Sequence, residues 1–280
     1  MLDPAHLKPL RIPGDAGGWV ALWRQAEIPI LCETAAALEE LRSREDAVDA
    51  RLLASSIADD PLMCLKLLTY VSTHRSSRRV TDAETTTAAL VMLGIAPFFR
   101  TFGVQPTIED RLADHAESLA GLRAVLRRSR RAASFALGFA VHRMDHDAEV
   151  IHEAALLHDF AEMLLWCHAP TLALEIARRQ ERDPTLRSSA VQRAVLNAEL
   201  VEVQQGLMRA WRLPELLQRI TNDRHADAPQ VRNVLLAIRL ARHTSNGWDN
   251  AAVPDDVQDI ADLLTLGHRP TLTLLRDLDS

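Results

Sequence analysis

The sequence predicts an all-α protein, on three observations. Ala- and Leu-rich tracts fill a chain that is 48% hydrophobic, with only ten glycines and 4% aromatic residues. No segment sustains the period-2 alternation of a half-buried strand, and no Asn-Gly pair sits between alternating apolar runs to close a hairpin. Prolines recur where helical patterns begin, at Pro61, Pro170, Pro184, Pro214, Pro229 and Pro254, as suits a residue preset for the first helical turn. Helices should therefore dominate, with no sheet beyond incidental bridges.

Along the chain, Pro4, Pro9, Pro13 and the glycines from Gly14 to Gly18 mark an irregular arm over 1–18. Helical pattern runs from Gly18 to Gln25, breaks at Pro29, and resumes through Ala35–Leu41. In Ala47–Ala58, Val48, Leu52, Leu53 and Ile57 recur at helical period. Asp60-Pro61 is a start signal, a carboxylate cap followed by proline. After a polar, basic connector from Ser72 to Val80, Thr81 with Glu84 reads as a capping box for a helix stopping at Gly94. Pro97 opens another short helix. Longer helices follow, from Leu112 through Leu126 to about Arg143, then Ala148 to His168. One domain over 19–280 is expected, with an N-terminal helical part over about 19–105 packed on a longer-helix part over about 106–280.

Composition narrows the function. A formal net charge of −6 gives no support to nucleic-acid binding. Cys32, Cys64 and Cys167 lack CxxC spacing and read as buried, reduced thiols of a cytoplasmic protein. Neither a secretory signal nor a membrane span is visible. There is no phosphate-binding GxxxxGK[ST] or GxGxxG, and Ser189 and Cys64 lack an activating arrangement. Trp19 and Trp23, at i and i+4, read as core packing or a docked N-terminal helix. His142 and His146 have the same spacing but no HExxH-like glutamate, and read as a solvated helix end. Arg127, Arg128, Arg130 and Arg131, with Arg123 one turn earlier, read as a solvated face balanced by Asp110, Asp114 and Glu117.

Four segments together resemble the HDOD domain, a bacterial relative of the HD metal-dependent phosphohydrolases associated with signalling. They are Ile57-Ala-Asp-Asp-Pro-Leu-Met-Cys-Leu-Lys-Leu-Leu68, Thr87-Ala-Ala-Leu-Val-Met-Leu-Gly94, Ala155-Leu-Leu-His-Asp-Phe160, and Trp211-Arg-Leu-Pro214 with His225 beyond it. The likeness spans roughly Ile28 to Gly247. It implies an HDOD-like helical bundle, in which an N-terminal helical subdomain packs on an HD-like one.

In the enzymes that this family resembles, the pair corresponding to His158-Asp159 supplies two metal ligands. A hydrolytic centre needs at least three, with an open position. Matching the family pattern puts Arg128 where an earlier ligand histidine would stand, and a guanidinium has no lone pair to donate. A later histidine position falls on Leu200. The helix that would carry the distal aspartate reads Ile238-Arg-Leu-Ala-Arg-His-Thr244, and Phe160-Ala-Glu162 replaces a common lysine. The expectation is a vestigial pair, His158 and Asp159, with no metal and no other cofactor. Arg128 is expected as a metal-replacing or anion-binding cation beside Asp159.

The leading functional expectation is a non-catalytic regulatory or interaction module in bacterial signal transduction, with an unidentified signalling protein as its partner. Two alternatives stay open. One is a divergent HD-type phosphohydrolase acting on a nucleotide or phosphodiester, recruiting His225, Glu199 or Glu202 as ligands. The other is a small-molecule sensor that uses the vacated metal cavity.

Overall fold

The computed structural model describes residues 11–74, 82–183 and 185–279, without the side chain of residue 224. The expectations for Pro4, Pro9, Thr81, Pro184 and the connector's arginines fall outside those residues. Among the described residues the structure is helical throughout, and its one β feature is an isolated parallel bridge between Ile30 and Thr107. That bridge ties the approach to the second helix to the segment after Pro106, through Ile30 N–H to Pro106 O at 3.0 Å and Ile108 N–H to Ile30 O at 2.9 Å.

The N-terminal helices are α1 (Ala16–Trp23), α2 (Cys32–Arg42), α3 (Ala50–Ile57), α4 (Pro61–Thr73), α5 (Thr86–Leu93) and α6 (Ile95–Thr101). Each boundary has a local cause. Asp15 caps α1 by accepting from Gly18 N–H, so the helix opens at Ala16, two residues before the sequence pattern suggests. Asp60 is buried and caps α4 at the expected place, accepting from Leu62 and Met63 N–H at 3.0 Å each. Its other oxygen takes Leu31 N–H at 2.8 Å, so one carboxylate ties α4 to the start of α2. Thr85 caps α5 through Ala88 N–H, so the helix that stops at Gly94 opens at Thr86, later than the sequence pattern suggests. Gly94 ends α5 at φ +84, a conformation that costs glycine little. It also begins α6 at Ile95, so Pro97 lies inside that helix and does not open it.

The remaining helices are α7 (Ile108–Arg111), α8 (Ala116–His142), α9 (Ala148–Leu157), α10 (Phe160–His168), α11 (Pro170–Arg182), α12 (Ser188–Leu196), α13 (Leu200–Ala210), α14 (Glu215–Ile220), α15 (Pro229–His243), α16 (Val253–Leu264) and α17 (His268–Leu278). The expected start at Leu112 moves to Ala116, because Leu112 closes α7 first. α8 is the axis of this part. Across 27 residues it packs against α9 and α15, with α10, α11 and α17 also touching it. Met144, at φ 56, ends the run, so His142 and His146 do not share a helix face.

α4 meets α8, α9 and α10, and the buried apolar side chains form one continuous core from Trp19 to Leu275. Glu153, buried on α9, pins that helix to α5 by accepting from Thr86 N–H at 3.2 Å and Thr86 Oγ1 at 2.8 Å. α1 packs on α13. There Trp19 and Trp23 are buried, and Trp19 Nε1–H donates to Leu196 O at 2.8 Å. Val20 reaches α13 at Gly206, where an added Cβ would come within 2.5 Å of Val20 Cγ2. Cys64 and Cys167 are buried free thiols, while Cys32, expected to be buried, is exposed at the first position of α2.

Candidate functional site

The run from Ala148 to His168 reads in sequence as one helix, but the structure breaks it at His158-Asp159. His158 closes α9 with a loose bond to Ala155 O at 3.4 Å, and Asp159, at φ −104 and ψ 22, starts α10. Apolar period continues through the break, since Leu156, Leu157 and Phe160 are all buried. The two polar side chains are held by partners from other helices.

Arg128, on α8, reaches Asp159. Its Nη2 and Nε donate to the same oxygen, Oδ2, at 2.9 and 3.3 Å, and Nη2 also donates to Glu162 Oε2 at 2.8 Å. The contact is therefore not the parallel two-oxygen fork that arginine can form. The reason is a second guanidinium. Arg242, on α15, donates through Nη2 to Asp159 Oδ1 at 2.9 Å and Oδ2 at 3.1 Å. His158 adds Nδ1 beside Asp159 Oδ1 at 3.1 Å, and its Nε2 lies 3.0 Å from Asp223 Oδ1. Asp223 comes from a short 3-10 turn before α15. The site is thus an ion cluster of Arg128, Arg242 and His158 with Asp159, Glu162 and Asp223.

The electrostatics follow from this arrangement. Burial opposes charge on Asp159, but Arg242, His158 and Arg128 outweigh it and hold the carboxyl well below the usual carboxylate range. Burial likewise opposes protonation of His158, yet its hydrogen bonds to Asp159 and Asp223 push its pKa up to about 9. His158 is therefore an imidazolium at neutral pH, donating from both ring nitrogens. Burial also opposes the charge of Arg128, and Glu162 and Asp159 override it to hold the guanidinium more firmly protonated. Arg242 is raised chiefly by Asp159. Three positive and three negative groups balance, which is how buried charge is tolerated.

These residues do not fit a metal. A ligand histidine must offer a lone pair, and both nitrogens of His158 are engaged with carboxylates. Both oxygens of Asp159 are taken by guanidiniums. Among the described residues no three His, Cys, Asp or Glu side chains are grouped to hold an ion. Leu200, the other position matched to a family histidine, is a buried apolar wall of the adjoining cleft. Of the alternative ligands, Glu199 lines that cleft but pairs with Arg193, and Glu202 is spent on the Glu199 backbone in a capping box. His225 is exposed and does not line the cleft.

The cleft has a volume of about 420 Å³. Arg128, Arg242, His158 and Asp159 line it, with Leu165, Trp166, Ile176 and Leu200 among its apolar walls, and Gln180, Ser188 and Ser189 lining it as well. Sequence reasoning missed three members of the cluster. Arg242 had a signal, since the helix matched to the distal aspartate is basic at that position. Glu162 was visible only as a replaced lysine, and Asp223 had no signal. The expected solvated arginine face also needs correction. Arg128 and Arg131 turn inward, and Arg130 donates to Asp59 O. Arg123 pairs with Glu109, and Glu117 pairs with Arg178.

A family model for the HDOD domain matches residues 28–227. No curated protein matches the chain. Among solved structures, the MmoQ response regulator from Methylococcus capsulatus str. Bath superimposes with a TM-score of 0.68 at 20% identity, covering 89% of this chain and 98% of that one. A virulence factor from Campylobacter jejuni subsp. jejuni gives 0.65 at 14% identity, covering 94% and 98%. At those identities the likeness is one of fold. The family match takes in Arg128 of α8, the His158-Asp159 break and the cleft-lining residues of α11 to α13, and it ends before α15, which carries Arg242; it covers most of the chain, and so the chain belongs to the HDOD domain family.

Proposed function

We propose that this protein is a non-catalytic regulatory module, in which an internal ion cluster does the structural work that a metal centre does in HD phosphohydrolases. The observation that carries this reading is the pair of guanidiniums, Arg128 and Arg242, on both oxygens of Asp159. A cation at that carboxylate locks α8, α10 and α15 in register, but it activates no water and polarises no phosphoryl oxygen. His158 and Asp159 are then a vestigial pair and Arg128 the metal-replacing residue. Its fold neighbour MmoQ bears the name response regulator, which supports a signalling role with a protein partner. We place the boundary between the two helical parts of the domain near 105/106.

The second reading is a small-molecule sensor. It is favoured by the cleft of about 420 Å³ beside the cluster, a size within the usual range for ligand pockets.

Metal analysis and hydrolysis assays on protein purified without chelator test the leading reading. No stoichiometric iron, manganese or zinc, and no phosphodiester hydrolysis, are expected. Bound metal or hydrolysis that disappears in Asp159→Asn would overturn it.

A further inference from the structure

A second cleft, of about 570 Å³, lies between α8, the turn after α15 and the end of α17, and shares Arg128 as a wall with the first. Arg131 lines it, and its guanidinium is fixed from one side by the protein itself. Nη1 donates to Thr244 O at 3.2 Å and Ala241 O at 3.4 Å, and Nη2 donates to Thr244 Oγ1 at 2.7 Å. The Nε–Nη2 edge is then presented to the cleft, where it meets Asp279. Nε donates to Oδ1 at 2.7 Å and Nη2 to Oδ2 at 2.8 Å, the two-bond fork that Arg128 does not form. A third donor converges on the same carboxylate, Trp248 Nε1–H to Oδ2 at 3.0 Å.

Two pre-oriented guanidinium donors and an indole N–H aimed at one point make an oxyanion cradle, and such forks match carboxylate and phosphate alike. The charges around it exceed what Asp279 needs. Arg127, exposed on the same helix, lines the cleft and has no ion-pair partner among the described residues. The Arg276 guanidinium lies over the Trp248 ring, 5.2 Å from its centre. Ser245 and Asn246 add polar groups to the wall. One carboxylate brings a single negative charge to this surplus, whereas phosphate brings up to two, with additional oxygens for Arg127 and the hydroxyl.

We propose that this cleft is a phosphate-binding site whose resident anion is the Asp279 carboxylate, so that a phosphate group enters by displacing Asp279 from Arg131 and Trp248. Free phosphate and a phosphomonoester present the same chemistry to the cradle. Displacement releases the end of α17, which packs on α8 and α16. The site is independent of the role given to Asp159, since none of the cradle's donors touches the ion cluster.

Calorimetric titration of the full chain at pH 7.5 and constant ionic strength tests it, with inorganic phosphate and phenyl phosphate in separate arms and chloride as the screening control. Asp279→Asn keeps the shape of the side chain and removes the competing charge. It should bind phosphate at least about tenfold more tightly than the parent chain, since 1.4 kcal/mol corresponds to that factor. Adding Arg131→Gln should abolish the gain. Trp248→Phe, which removes only the indole donor, should weaken binding about threefold or more in the Asp279→Asn background, and it carries the test if the Arg131 variant fails to fold. Tighter binding of phenyl phosphate than of inorganic phosphate would identify a phosphomonoester as the ligand, and the reverse would identify free phosphate. Equal phosphate affinity of Asp279→Asn and the parent, or affinity untouched by both Arg131→Gln and Trp248→Phe, would overturn the proposal.

Discussion

Asp159 is held by two guanidiniums and an imidazolium, and the loss of any one should be read against the two that remain. Removing one partner of a buried ion pair typically costs about 3–5 kcal/mol. With Arg242 and His158 still facing the carboxylate, Arg128→Met should destabilise the protein by about 3 kcal/mol, at the low end of that range. A double-mutant cycle with Asp159→Asn should return a coupling of at least about 1 kcal/mol, as neighbours in one network do. Urea unfolding of the four proteins measures it, and additive effects would mean that Arg128 is a bystander. His158 gives a pH signature. Its folded pKa of about 9 lies above the ordinary histidine value of about 6.5. The stability it contributes is therefore fully present below about 6.5 and is lost as pH rises through about 9. The loss should be on the order of 2–3 kcal/mol, and it should vanish in His158→Gln when stability is compared at pH 6.5 and 9.5. Asp159 works in the opposite sense, contributing above its ordinary pKa and losing that contribution in strong acid.

Helix ends and helix crossings show how far local chemistry reaches. Asp60 caps α4 and also ties Leu31, and burial pushes its carboxyl up against the bonds from Leu31, Met63, Thr34 and Leu62. Its hydrogen-bond acceptors therefore matter more than its charge. Asp60→Asn keeps the cap to Leu62 and Met63 but turns the oxygen that accepts from Leu31 N–H into a donor, so it should cost about 1–2 kcal/mol. Asp60→Ala should cost about 2–4 kcal/mol, a lost cap plus a buried N–H left without a partner. Thermal unfolding of the two variants gives the comparison, and equal losses would show that the cap to Leu62 and Met63 contributes nothing beyond the bond to Leu31. At the α1–α13 crossing the controlling residue is Gly206. A methyl group there overlaps Val20, so Gly206→Ala should destabilise by about 1–3 kcal/mol through overpacking, despite alanine's better helix propensity. The caps at Asp60 and Gly94 were legible in sequence because capping acts over three or four residues. The α9–α10 break was not, because Arg128, Arg242 and Asp223 hold it from elsewhere in the chain.

Across the molecule, the first and later helices share one core. Trp19 and Trp23 of α1 lie against α13, and Trp211 Nε1–H donates to Arg24 O at 3.0 Å. α4 and α5 meanwhile contact α8, α9 and α10 or are bonded to them. The two helical parts should therefore lose structure together. Urea transitions followed by tryptophan fluorescence and by far-ultraviolet circular dichroism are expected to coincide. A fluorescence transition preceding loss of helix would show that α1 undocks on its own.

The sequence by itself determined the helical class, the family likeness carried by the Asp60-Pro61 and His158-Asp159 segments, and the absence of metal-donor side chains at Arg128 and Leu200. Those properties belong to periodicity, caps and the chemistry of single residues. Only the tertiary structure decided that two arginines share Asp159, that Asp223 completes His158, and that Arg131 turns from an expected solvated face onto Asp279. Each of those contacts joins residues 31 to 148 positions apart. Charge pairing at such separations depends on which helix faces which, and helical periodicity sets only the face of each helix, not its neighbour.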